Sequence, residues 1–241
     1  MTKAFFKQLT RIQDDTELKE HIIAVQTKAF AIYPYPCIRA FNSTRLKLAC
    51  LPAYEQLLKL VGNDIRKAVQ DGYPVQNTLA SDLQKGLWDL GHELFRSTPE
   101  TFSTHFIEGS PVLLECVPPF TKSSQLSAAP PTLSKVKTLN ELHEHVSVLY
   151  VGAFFHLFNE QQQEGIARAL AGLLSPEPGS VIIGAQGGSS KKVGRSCGKV
   201  YLGNIEVKAQ LRHELGGDDY FGMWPGNQDP MRILEWSVTR L

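Results

Sequence analysis

The stretch HVSVLYVGA, residues 145–153, is apolar at nearly every position and lacks the alternation of a strand with one wet face. Such a run suits a parallel strand covered on both faces, and no other feature constrains the fold as strongly. The neighbouring segments agree. NDIRKAVQDG predicts a short helix with an acidic start and a glycine exit, and QNTLASDL predicts a strand. LQKGLWDLGHELF predicts a helix carrying Leu87, Leu90, Leu94 and Phe95, and STHFIEG a second strand. NEQQQEGIARALAGLL predicts a helix with Ile166, Leu170, Leu173 and Leu174 inward, and SPEPGSVIIGA a turn into a further strand. Strands and helices in alternation imply an α/β fold with a mostly parallel sheet. Residues 146–151 and 180–185 are expected to be neighbouring central strands with little exposure. GNIEVKAQL and RILEWSVTRL then predict an antiparallel C-terminal hairpin at one edge of the sheet.

Ahead of this alternation, residues 1–60 read as a helical N-terminal extension or lid, with 61–241 as the α/β domain. TELKEHIIAVQTKAFAI places Leu18, Ile22, Val25 and Phe30 near one face of a helix. YPYPC breaks it, because Pro34 and Pro36 lack an amide donor and push their predecessors toward extended conformations. A second helix is expected over STRLKLACLPAYEQLLKLV, and a surface loop over the Pro/Ser-rich residues 117–134.

Charge and cysteine usage narrow the partners. A net charge of +1 over 241 residues offers no electrostatic argument for nucleic acid or an anionic membrane. The charged N-terminus lacks the apolar core of a signal peptide. No run approaches the ~18 apolar residues of a membrane span. Four cysteines without C-x-x-C spacing suggest reduced thiols and a cytoplasmic location. His143 and His145 lack further ligands nearby and read as surface, so no metal is expected. GAQGGSSKK departs from the phosphate-loop pattern and reads as a loop with a solvated basic end, and no G-x-S-x-G elbow occurs. Trp88, Trp224 and Trp236 read as core or pocket walls.

The segment that carries chemistry is LLKLVGNDIRKAVQDGYPVQNTLASDL, residues 57–83. Gly62 and Asp82 stand about the 20 residues apart that separate a glycine turn from a ribose-binding acid in dinucleotide folds. Asp82 closes a predicted strand, where a carboxylate can accept the ribose hydroxyl protons. Asn63 and Asp64 open a helix whose free amides favour a negatively charged group. On these residues alone, ordinary helix capping and a turn are the better explanation of the segment.

Longer strings add to this. LLSPEPGSVIIGAQGG resembles a passage found late in the class I S-adenosylmethionine-dependent methyltransferases. GNDIRKAVQDGYP, DLGHELFRSTPETF, GAFFHLFNEQQQ and LEWSVTRL resemble passages of the small fungal secondary-metabolite methyltransferases, including those of meroterpenoid pathways. The resemblance runs from about residue 33 to the end. It implies a class I, Rossmann-like methyltransferase fold that uses S-adenosylmethionine to methylate an oxygen, carboxyl or hydroxyl, of a small polyketide- or terpenoid-derived acceptor. It places Gly62, Asn63 and Asp64 at the cofactor's amino-acid end, and Asp82 and Leu83 at its ribose and adenine. Ser110 takes the adenine position where the family carries an acid, and His156 is a candidate base. The family also carries a strand and a cysteine- and glycine-rich loop just before NDIRK. Here LKLV runs straight into Gly62, so that first strand and most of the loop are expected to be absent. The alternative is a methyltransferase-like protein without catalysis, serving as a binding protein or an inactive remnant. A homodimer is compatible with either.

Overall fold

In the computed structural model, residues 2–39, 41, 44, 65–109, 129–188, 205–213 and 232–241 are described. The expected helix over 43–61, the tip of the 117–134 loop, Trp224, and Gly62, Asn63, Asp64 and Ser110 lie outside them.

The chain opens with α1 (Thr2–Thr10) and α2 (Asp15–Ile32). Asp14 starts α2 by accepting from the amides of Thr16 and Glu17, both at 2.9 Å. This satisfies donors that the first turn leaves without helical partners. Phe5, Phe6, Ile12, Leu18 and Ile22 form a buried cluster, onto which Leu94 and Phe95 pack from the end of a later helix. Phe6 and Phe95 stack with centroids 5.2 Å apart. Leu18, Ile22 and Val25 are buried as the helical spacing predicts, whereas Phe30, at the far end of α2, is exposed. A single turn, α3 (Pro36–Arg39), follows the proline break.

The alternating part begins with α4 (Ile65–Gln70), then β1 (Leu79–Asp82), α5 (Lys85–Leu94) and β2 (His105–Glu108). β1 and β2 pair in parallel, with Asp82 opposite Glu108. Next come β3 (Val148–Gly152), α6 (Glu160–Leu173) and β4 (Val181–Gly188), and β3 and β4 are also parallel. Asn159 and Gln162 cap α6 reciprocally. Two long strands, β5 (Ile205–His213) and β6 (Arg232–Arg240), form the expected antiparallel pair, with β6 also lying antiparallel to β4. The architecture is mixed α/β.

Two features differ from the expectation of one sheet. The described strands form two sheets, β1-β2 and β3-β4-β6-β5. Among the described residues, β1 and β3 each have a strand neighbour on one side only. Among the described residues β3 is therefore an edge strand, and all five of its residues are half-buried, whereas Val181 to Ala185 of β4 are all buried. Only β4 of the two matches the expectation of little exposure. A second correction concerns residues 186–188, read as part of a loop: they extend β4, with Gly187 opposite Ile233.

One core serves both sheets. Ile107 of β2, Ile182 of β4 and Ile166, Leu170 and Leu173 of α6 are buried in a single cluster, with Leu79 of β1 and Leu149 and Val151 of β3 packed against it. Gly184 is required within β4, because a Cβ there would lie 2.2 Å from the Trp236 ring on β6. Among the described residues no helix is long and apolar enough to cross a membrane.

Candidate functional site

Parallel strands align their C-terminal tips, so β1 and β2 present Asp82 and Glu108 side by side. Both are exposed. The Gln84 amide donates to Asp82 Oδ1 at 2.8 Å, a side-chain turn that ends the strand and launches α5. Asp82 Oδ2 has no protein donor among the described residues, so this oxygen can accept from a ligand. Leu83, next along the loop, is 54% exposed. The Gly109 amide donates to the Asp82 carbonyl at 3.0 Å and ties the two strand tips together.

β3 ends differently. Ala153 takes a left-handed φ of 50°, with its amide donating to the Ala185 carbonyl at 2.7 Å. That turn leads into the 3-10 segment Phe155–Leu157, which carries His156 on an exposed face. Phe155 packs edge-on against Trp236, with centroids 5.6 Å apart. His143 and His145 are half-buried. Among the described residues no three His, Cys, Asp or Glu side chains gather where they could hold a metal ion.

Behind the β1 and β2 unit, Arg66 of α4 anchors the elements around it. Its guanidinium lies 4.0 Å from the Phe102 ring centroid and 4.9 Å from that of Phe95. Its Nη1 donates to Ser97 Oγ at 2.8 Å, and its Nη2 approaches His92 Nδ1 at 3.4 Å. Burial pulls its pKa down to about 10, which still leaves it charged at neutral pH. Burial, and then the Arg66 charge, hold His92 below its ordinary value, so neutral His92 can offer a nitrogen lone pair here. Trp88 stacks on Phe106 at 5.1 Å and, with His92 and His105, borders an open cavity of about 340 Å³.

With this geometry in view, the likeness to known proteins is specific. Residues 1–42 match the family described as meroterpenoid methyltransferase N-terminal domain. The chain is 30% identical over 203 residues to an O-methyltransferase of Stereocaulon alpinum, covering 78% of this chain and 52% of that one. It is 32% identical over 185 residues to the Asnovolin E/Chermesin D methyltransferase of Aspergillus novofumigatus, covering 70% and 58%. It is 30% identical over 217 residues to an O-methyltransferase of a fungal species, covering 83% and 65%. Over most of its length the chain is similar to fungal secondary-metabolite methyltransferases, including one named for meroterpenoid substrates. It spans 52% to 65% of the length of these relatives. No solved structure matches it.

Of the residues predicted for the site, Asp82 and Leu83 share one strand tip, and His156 follows the tip of another. Gly62, Asn63, Asp64 and Ser110 fall outside the described residues. Sequence reasoning missed Glu108, although the spacing of the two predicted strands already allowed the acids to align. It also took YPYPC only as a helix breaker, and so missed that the structure pairs Tyr33 with Tyr35 and sets Tyr35 within electrostatic range of Asp82.

Proposed function

We propose that this chain binds S-adenosylmethionine and transfers its methyl group to an oxygen of a small polyketide- or terpenoid-derived molecule. The observation that carries this is Asp82. It is an exposed carboxylate at the tip of a parallel strand, with one oxygen fixed by the Gln84 amide and the other open to a ligand. The likeness to named O-methyltransferases supports the same reading. When bound, the cofactor supplies a methyl on a sulfonium centre, which the acceptor oxygen displaces in line. The protein's contribution is then chiefly alignment. Asp82 would accept from the ribose hydroxyls and Leu83 would lie against the adenine. A carboxylate acceptor needs no base, whereas a hydroxyl acceptor would pass its proton to a group such as His156.

The same proposal includes a weakness. Only Gly62 remains of the glycine loop, so close backbone approach to the cofactor is reduced. Binding should be weak and turnover slow. The second reading is a methyltransferase-like protein that binds without catalysing, and the single remaining glycine of the loop supports it. Incubation with methyl-labelled cofactor and a panel of terpenoid carboxylic acids and phenols separates the two. Label appearing in a methyl ester or ether supports catalysis. Cofactor binding with no labelled product from any acceptor supports the second reading.

A further inference from the structure

The proline break at the end of α2 does more than stop a helix. Tyr33 ends α2 with its amide still donating to the Ala29 carbonyl at 3.2 Å. Its own carbonyl then accepts from the Tyr35 amide at 2.8 Å. This is a three-residue turn around Pro34, whose ring fixes the backbone dihedral that such a turn uses. The turn brings the two phenol rings together, with centroids 4.0 Å apart and planes at 34°. An aromatic pair with Tyr33 exposed and Tyr35 half-buried, held by so short a turn, is pre-organised, because little freedom remains to be lost on binding.

The pair sits beside the tip of β1. Ile32 Cδ1, one residue before Tyr33, lies 2.9 Å from where a Cβ on Gly86 would stand, so the end of α2 abuts the first turn of α5, just past Asp82 and Leu83. Burial, then Tyr33, then the Asp82 carboxylate and Cys37 push the Tyr35 phenol above its ordinary range. Tyr35 is therefore a neutral O–H donor at physiological pH, within electrostatic reach of Asp82. Tyr33 is 44% exposed, and Ile32 and Leu83 are exposed as well. An apolar, aromatic surface thus borders an acid with an open oxygen.

Building on the cofactor reading above, we propose that Tyr33 and Tyr35 complete a composite nucleoside site: the tyrosine pair forms an aromatic wall for a purine while Asp82 accepts from the ribose. The N-terminal helices are then part of the binding site. Purines stack on aromatic rings with little regard to orientation, and hydroxyls supply the polar contacts that fix the sugar. The complementarity is chemical: a neutral π surface for the base, a carboxylate for two hydroxyl donors, and a protonated phenol for a ring nitrogen or ribose oxygen.

The test uses the full chain with uniformly 13C-labelled tyrosine, titrated with adenosine and separately with S-adenosylhomocysteine, and observed by NMR. Ring resonances of Tyr33 and Tyr35 are expected to shift with both probes, saturating with the same dissociation constant as the rest of the spectrum. Tyr33→Ala should weaken both probes about tenfold or more, the effect of removing one base-stacking ring, while Tyr33→Phe retains most of the affinity. Tyr35→Phe should weaken binding by several-fold, as expected for one lost hydrogen bond. Circular dichroism confirms that each variant keeps its fold. If the wild type binds and Asp82→Ala weakens it, but Tyr33→Ala does not, the composite site is overturned and the cofactor reading stands. If neither probe binds at millimolar concentration, both fall together.

Discussion

Asp82 and His92 make opposite demands on their surroundings. Asp82 works only if its carboxylate stays accessible. Asp82→Ala should weaken nucleoside binding by about 1–3 kcal/mol, the range for hydrogen bonds to a charged partner, as read by calorimetry. Unchanged affinity in a folded variant would remove Asp82 from the site. His92 works only while neutral, wedged between Arg66 and Ser97, whose hydroxyl lies 3.0 Å from Nδ1. Its folded pKa lies below the ordinary value of 6.5, so the unfolded chain takes up this proton first as pH falls. Stability from this group is present above about pH 6.5 and is lost as pH drops through the folded pKa. Denaturant melts of His92→Gln should therefore lose part of the acid sensitivity seen in wild type between pH 7 and 5. An identical pH dependence would show that the cluster does not titrate as described.

Elements with strong local signals were legible in the sequence. The apolar face of α2, the amphipathic α6 and the β-branched strands lie where their patterns put them, because each signal depends on neighbours a few residues away. Two misreadings have physical reasons. Residues 186–188 looked like a loop because glycine is poor in strands, yet they pair with β6, and in the same strand β6 lays a tryptophan over Gly184, where glycine allows close approach. YPYPC looked only like a break because the meeting of two rings across a turn is invisible to periodicity. The first reading leads to a sharp expectation. Gly184→Ala should lower stability by about 1–3 kcal/mol or more through overpacking against Trp236, measured by urea melts. The double variant with Trp236→Leu should recover part of the loss. No recovery would mean that the ring is not the obstacle.

At the scale of the molecule, a near-continuous apolar run implied two covered faces but could not say what lies beside β3. That depends on contacts between segments distant in the chain, and β3 is half-exposed while β4 is buried. Native-state amide exchange should follow this order, with Val181–Ala185 slower than Val148–Gly152 by at least tenfold, since exchange tracks local opening. Equal protection would imply that β3 is flanked on both sides. The candidate site was legible where one residue sufficed, as at Asp82, and hidden where it required the N-terminal helices to meet β1. The central claim is that a nucleoside site survives here without most of its glycine loop. Titrating the full chain with S-adenosylmethionine in a calorimeter tests it most directly. A helix N-terminus contributes only about 0.3–1 kcal/mol toward an anion at an exposed site, less than one decade in affinity. The account predicts measurable but weak binding, with a dissociation constant above about 100 μM, or roughly −5.5 kcal/mol or weaker. No detectable binding would contradict the surviving site, and a low-micromolar constant would contradict its weakness, because the missing loop would then have been dispensable.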